Sequence, residues 1–452
     1  MDWLWESDQK TVEAPMSKGG TLDSKPELRL TVRFEDGDER EFQIPAFGGG
    51  LCGIPFQWNI DWGDGARGHA SGATSARGGD VFSGDLVHKY EASGTYEILL
   101  SPAGRVSETT GDEPGWLQAF GYPDSRSYRT GGYSSILPKG GDVLVEVDGV
   151  LDDRAINTEL DGACSVMFAN CKNITMGPAF TFSSNKTRTG DFFCFGMFEK
   201  CKGSAFTMGE SFRLPQNLRT VGRAFCCKMF QCCDGASFTM NDVFTIPQGI
   251  VSAGSNFCQD MFGWHGLSLT MGRAFNLPQG LVEAEDDFCS GMFNVFGGQD
   301  YLFEMNEIFN LPQHISGHVG KGFCSGMFRG THGPNFTMND RFNLPNGITS
   351  AGDSFCEQMF LGCAGARFSV NNVFNLPERL ERAGTGCCSG MFALCDGSGF
   401  QLNEKFDYPA GLTTAGPPAH QMFGFCYWDA LNWNIWHIIR SNPDFQIWQP
   451  PA

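Results

Sequence analysis

The stretch that decides the fold reads Phe225-Cys226-Cys227-Lys228-Met229-Phe230-Gln231-Cys232-Cys233-Asp234-Gly235, then Phe238-Thr239-Met240-Asn241-Asp242, then Phe244-Thr245-Ile246-Pro247 and Gly249-Ile250. Its period changes along its length. Cys226, Met229, Phe230 and Cys233 stand at i, i+3, i+4 and i+7, the spacing of one apolar helical face. Phe238/Met240 and Phe244/Ile246 stand at i, i+2, the spacing of a half-buried strand. The unit therefore reads as a short helical segment and two short extended segments, punctuated by Gly, Asn-Asp and Pro turns.

The same unit recurs outward in both directions. Met-Phe dipeptides begin at 167, 197, 229, 261, 292, 327, 359, 391 and 422, with spacings of 30 to 35 residues. Phe-x-Met or a variant returns at Phe206, Leu269, Phe303, Phe336, Phe368 and Phe400, and Phe-x-Leu-Pro at Phe212, Phe275, Phe309, Phe342 and Phe374. One such unit cannot bury its apolar face alone, but stacked copies share a continuous core. The expectation is a solenoid of about nine units of ~32 residues.

Composition agrees. Glycine makes up 59 of 452 residues, which calls for many turns, and 41 Phe against 8 Tyr calls for many dry, shape-filling positions. With 51 acidic and 32 basic side chains the net charge is −19. A chain this acidic, with no long Lys/Arg cluster, is a poor partner for nucleic acid or anionic membranes. No run of eighteen apolar residues is present, so membrane insertion is not expected. The first residues, Met1 to Asp8, lack the basic and apolar regions of a secretory signal.

The order Ala-Phe…Met-Phe-x-x-Cys, small apolar strand, Leu-Pro, then Ala-Gly resembles the BspA-like leucine-rich repeats of bacterial surface proteins over roughly residues 160–426. The unit here is longer than that family's, and Phe and Met stand where Leu or Ile is usual. Upstream, Leu28-Arg29-Leu30-Thr31-Val32-Arg33-Phe34 alternates as an antiparallel strand with one wet face. Phe56-Gln57-Trp58-Asn59-Ile60-Asp61-Trp62 alternates too and runs into Gly63-Asp64-Gly65. With His88-x-Tyr90 and Gly94-x-Tyr96 this resembles the PKD-like β-sandwich.

The two resemblances imply a mostly β chain with short helical segments: an N-terminal arm (1–27), a PKD-like sandwich (28–103), a junction (104–155), a BspA-like repeat solenoid (156–420) and a Trp-rich C-terminal cap (421–452). By analogy they imply a spacer and presenter, not a catalyst.

Candidate chemistry is sparse. Eight Met-Phe units carry Cys three residues earlier, and six carry Cys four residues after Met. Residues seven apart on a helix lie about 10 Å apart along its axis, beyond the ~7 Å Cα limit of a disulfide. A buried ladder of small thiols is the simplest reading. Cys227, Cys232 and Cys387 stand off that pattern and are the candidates for reactivity or disulfide formation. No zinc-ligand spacing appears. Asp61 and Asp64 flank a turn that offers hard oxygens to Ca2+, though turn carboxylates ordinarily serve the turn itself; no cofactor is expected. His88 could serve as a base but has no nucleophile motif beside it. No G-x-S-x-G, H-E-x-x-H, P-loop or dinucleotide fingerprint is present, so no enzyme is expected.

The sequence thus points to a non-enzymatic recognition or adhesion protein of the cell surface or exterior, binding a host protein, surface glycan or other polymer along one solenoid face. The candidate contacts are Asn294, Gln299, Asp300, Tyr301, His314 and His318, around the 35-residue spacing, because repeat insertions map to loops on one face. Trp428, Trp433 and Trp436 offer a second aromatic patch, suited to capping or to self-assembly through the Trp-rich termini. The rival is a structural subunit of a virion, such as a phage fibre or decoration protein, or of an extracellular filament. Thiols typical of a reducing cytosol favour that rival.

Overall fold

A computed structural model describes residues 27–44, 55–74, 80–84, 87–102, 141–153, 156, 158–159, 161–201, 206–233, 238–263, 268–295, 302–330, 338–363, 368–395, 400, 402–403, 405–407, 409, 411–414 and 422. The described residues are mostly β, with no helix, and form a β-solenoid of about seven turns. The nine sequence units exceed the turns. The first unit packs directly on the N-terminal sheet, and Met422 alone represents the last among the described residues.

The N-terminal part is an antiparallel sheet. Its strands are β1 (Leu28–Phe34), β3 (Pro55–Asp61), β4 (Arg67–Thr74), β5 (Asp80–Gly84) and β7 (Gly94–Pro102), with β2 (Glu41–Gln43) and β6 (Val87–Lys89) paired as a separate ribbon. β1 alternates as its sequence predicts: Leu28, Leu30, Val32 and Phe34 are buried. β8 (Leu144–Asp152) pairs antiparallel with β1. It then pairs parallel with Thr175–Met176 and Thr181–Ser183, the first strands of the solenoid. The junction strand is thus shared, and one apolar core continues from Leu28 to Met422.

The segments expected to be helical are not helices. In the run from Phe192 to Cys201, the N–H groups of residues 195, 197, 199 and 201 bond the carbonyl three residues earlier. Those of 192, 196, 198 and 200 instead leave the segment for carbonyls of the next coil, at 2.7–2.8 Å. Cys194 N–H points the other way, to Ala163 O of the preceding coil at 2.9 Å. φ is positive at 192, 194, 196 and 200, so left-handed residues alternate with others. An α-helix spends nearly all its N–H groups on itself and has none to stack with. This ribbon gives half its donors to turns and half to neighbouring coils. Residues three or four apart still share a side, so the sequence spacing reads the same either way.

The ribbon explains part of the glycine excess. The residue before Met is left-handed in the middle coils, and glycine fills it at 196, 291, 326 and 390. Elsewhere L-residues accept the strain: all eight Cys three residues before Met have φ between 50° and 57°. Each such residue costs about 1–2 kcal/mol, which the stacked core must offset.

Three long columns of phenylalanine run through that core. Phe168, Phe198, Phe230, Phe262, Phe293, Phe328, Phe360 and Phe392 stack with ring centroids 5.3–5.7 Å apart. A second column runs from Phe180 through Phe212, Phe244, Phe275, Phe309, Phe342 and Phe374 to Phe406 at 5.6–6.2 Å. A third links Phe193, Phe225, Phe257, Phe288, Phe323 and Phe355. The first two meet edge to face, as Phe230 and Phe244 do at 84°, the geometry that aromatic quadrupoles favour.

Candidate recognition surface

Two asparagine ladders bind coil to coil where strand pairing stops. At one corner, Asn306, Asn339, Asn371 and Asn403 each give both Nδ2 protons to carbonyls of the preceding coil, as Asn371 does to Asn339 O at 2.5 Å and Phe342 O at 2.9 Å. The Oδ1 of Asn371 accepts the N–H of Val373 and of Phe374, closing an Asx turn.

The second ladder lies in the Phe-Asn-Leu-Pro segments. Oδ1 of Asn276 accepts the N–H of Leu277 and of Asn310, and Asn310, Asn343 and Asn375 repeat the pattern onto the next coil. Gln248, Gln279 and Gln313 hold the turn beyond the buried prolines, each donating Nε2 to a carbonyl of its own coil and one of the next. The sequence reading missed this row. Its signal is the recurrence of Asn after Phe in consecutive units.

The predicted contact residues do not form one cluster. Asn294 sits on the ribbon, while the exposed His314 and His318 sit on the segment leading into the next ribbon. His314 Nδ1 lies 2.9 Å from Gln279 O, and His318 Nδ1 lies 3.0 Å from Ser350 Oγ, beside a β-bulge between Gly317 and His318. Gln299, Asp300 and Tyr301 lie outside the described residues, as do Trp428, Trp433 and Trp436.

The Asp61/Asp64 turn is occupied by protein groups. Asp61 accepts the Gly63 N–H and pairs with Arg67 Nε at 3.2 Å. Asp64 accepts the Ala66 N–H at 3.0 Å and meets His88 Nε2 at 2.7 Å. Desolvation raises the Asp64 carboxyl, but the hydrogen bonds from His88 and Ala66 N–H outweigh it and hold the pKa below its ordinary value. His88 stacks on Trp62 at 4.9 Å, and Tyr90 Oη donates to Trp62 O. Carboxylates engaged by an Arg and a His do not fit a Ca2+ site, which wants six to eight oxygen ligands. Among the described residues no group of three metal-ligating side chains converges.

No disulfide joins any of the sixteen described cysteines. Cys227 and Cys387 are buried, and desolvation pushes the Cys227 thiol well up, which works against reactivity. Cys232 is partly exposed. The Cys194 thiol neighbours those of Cys164 and Cys226 in the column.

Glu199 is buried to 1% exposure, with Lys200 Nζ at 3.4 Å from one oxygen. Asp260 lies against Gly291; desolvation first, then Asp287, lifts its carboxyl to about 6 against the pull of Lys228.

Comparison with protein-family models, with curated proteins and with solved structures gives no match to this chain.

Proposed function

We propose that the chain is a non-enzymatic recognition protein of the cell surface or exterior, whose solenoid presents one long face to a surface polymer or protein. In this reading the N-terminal antiparallel sheet belongs to a PKD-like sandwich that spaces and presents a BspA-like array. The observation that supports it is the coil-to-coil register of outward side chains. Asn276, Asn310, Asn343 and Asn375 fall on consecutive coils, fixed by bonds of 2.9–3.0 Å, so the row is held in register with the coils beneath it. A rigid row of this kind needs no ordering on binding, which lowers the entropic cost of association.

The rival is a virion or filament subunit, and the cysteine column favours it: buried thiols in this number suit a chain assembled under reducing conditions. Light scattering on the purified chain separates the two. A monomer that binds immobilised surface material supports recognition, whereas a large ordered assembly supports the structural subunit.

A further inference from the structure

The face built by the Phe-Asn-Leu-Pro segments carries three neighbouring rows. Side chains on either side of each buried Phe point outward together, because successive residues of an extended chain alternate. The row before Phe is Val243, Ala274, Ile308, Arg341 and Val373, of which Ile308 is 39% and Val373 48% exposed. The row after Phe is the asparagine ladder. Its Oδ1 atoms are spent on backbone N–H groups, but the Nδ2 groups of Asn276, Asn310 and Asn343 donate to nothing among the described residues. Beyond the prolines, Gln248, Gln279 and Gln313 spend Nε2 on carbonyls and keep Oε1 as an acceptor.

A ridge that is apolar except at Arg341 therefore runs beside a row of open donors and a row of open acceptors. Arg341 and Glu378 are the charges in these rows from the coil of Val243 to the coil of Val373, on a chain of net charge −19. On the margin Asp242 and Arg273 pair at 3.6 Å, and the exposed Glu307 and Asp340 occupy the same position on the next two coils. We infer that this face is a track for an uncharged polysaccharide chain lying along the solenoid axis. Sugar rings offer C–H faces to the apolar positions of the ridge and hydroxyls to both amide rows, and bring no charge of their own to desolvate. An added peptide strand would need donors and acceptors alternating within one row, which the asparagines do not offer. Polyanions meet the repulsion of the whole chain. The inference rests on the recognition reading and names its ligand class.

The test uses the full chain and titration calorimetry with β-1,4-linked hexasaccharides of glucose and of N-acetylglucosamine, plus retention on the corresponding insoluble polymers, with heparin as the charged control. Asn310→Asp with Asn343→Asp keeps each Oδ1, hence the coil-to-coil bonds, and turns each outward donor into a charged acceptor. Ile308→Ser with Val373→Ser, both at exposed sites, removes the ridge without touching the ladder.

The inference expects binding of a neutral polymer by the wild type, weakened about tenfold or more in either double variant, with unfolding temperatures preserved. Ser252→Asp, on a different segment of the coil, leaves binding unchanged. Equal binding by the folded double variants overturns the track, as does preference for heparin. Self-association of the wild type that the variants abolish also overturns it, making the face an interface between copies. A monomer that binds none of the neutral polymers ends this inference and leaves recognition standing. A large ordered assembly ends the recognition reading itself.

Discussion

The Oδ1 of Asp260 lies 2.2 Å from the point where a Cβ on Gly291 would stand. The two residues belong to successive coils and occupy the same left-handed position before Met, with φ of +50° and +61°. The carboxylate of one coil is therefore seated on the bare Cα of the next, and the residue allowed at one position depends on the residue one coil earlier.

Gly291→Ala should destabilise the chain by about 2–3 kcal/mol, summing left-handed strain and the clash with Asp260. In the double variant with Asp260→Gly the clash disappears and only the strain remains. Urea unfolding of the four proteins reads the coupling; strictly additive effects would show that the seat is not used.

Asp260 also makes a pH signature. Its folded pKa, about 6, is raised above the ordinary aspartate value of about 3.8. A raised value means that the folded state binds the proton more tightly. The contribution to stability is fully present below about 3.8 and is lost as pH rises through about 6. Asp260→Asn should raise stability at pH 8 by about 1–2 kcal/mol and change it little at pH 3.5. A pH-independent difference between the two proteins would argue against the buried carboxyl.

Asn371 satisfies four backbone groups with one side chain. Asn371→Ala should cost about 2–4 kcal/mol, because two carbonyls and two N–H groups lose their partner in a buried corner. Asn371→Asp should cost more at neutral pH, facing a carboxylate toward two carbonyls, and recover part of the loss as acid protonates it. Thermal melts at pH 7 and pH 4 decide this.

Phe238 stands in a short column whose next member is Leu269, followed by Phe303. The column already tolerates Leu, so Phe238→Leu should cost less than about 1.5 kcal/mol. Phe230→Ala, in the middle of the unbroken column, should cost about 3–5 kcal/mol. Comparable losses in denaturant midpoint would mean that column position does not matter.

Among the described cysteines, Cys232 should react first with a thiol reagent in the native protein, and the buried ones only after unfolding. Peptide mapping after brief labelling checks the order. Early labelling of Cys194 or Cys258 would contradict a closed thiol column.

Much of this was legible in the residues themselves. The period of Met-Phe set the coil, and the alternation of Leu28 to Phe34 set β1. Asn276, Asn310 and Asn343 were also visible as a recurring residue after Phe, but their role was not. An Asn in a turn-rich chain reads as local turn chemistry, and only coil-to-coil register shows Oδ1 spent on the neighbour with Nδ2 left outward.

The sequence by itself determined that there is a repeat, what its period is and which recurring Phe, Met and Cys fill the core, because their burial follows from spacing, whereas the burial of Cys227 and Cys387 does not. Tertiary structure decided the handedness of the segment around each Met-Phe. Cys226, Met229, Phe230 and Cys233 share a side in a helix and in a ribbon of alternating turns alike. The choice falls to where the N–H groups go, and the stacked neighbour that accepts half of them exists only once the coils have assembled.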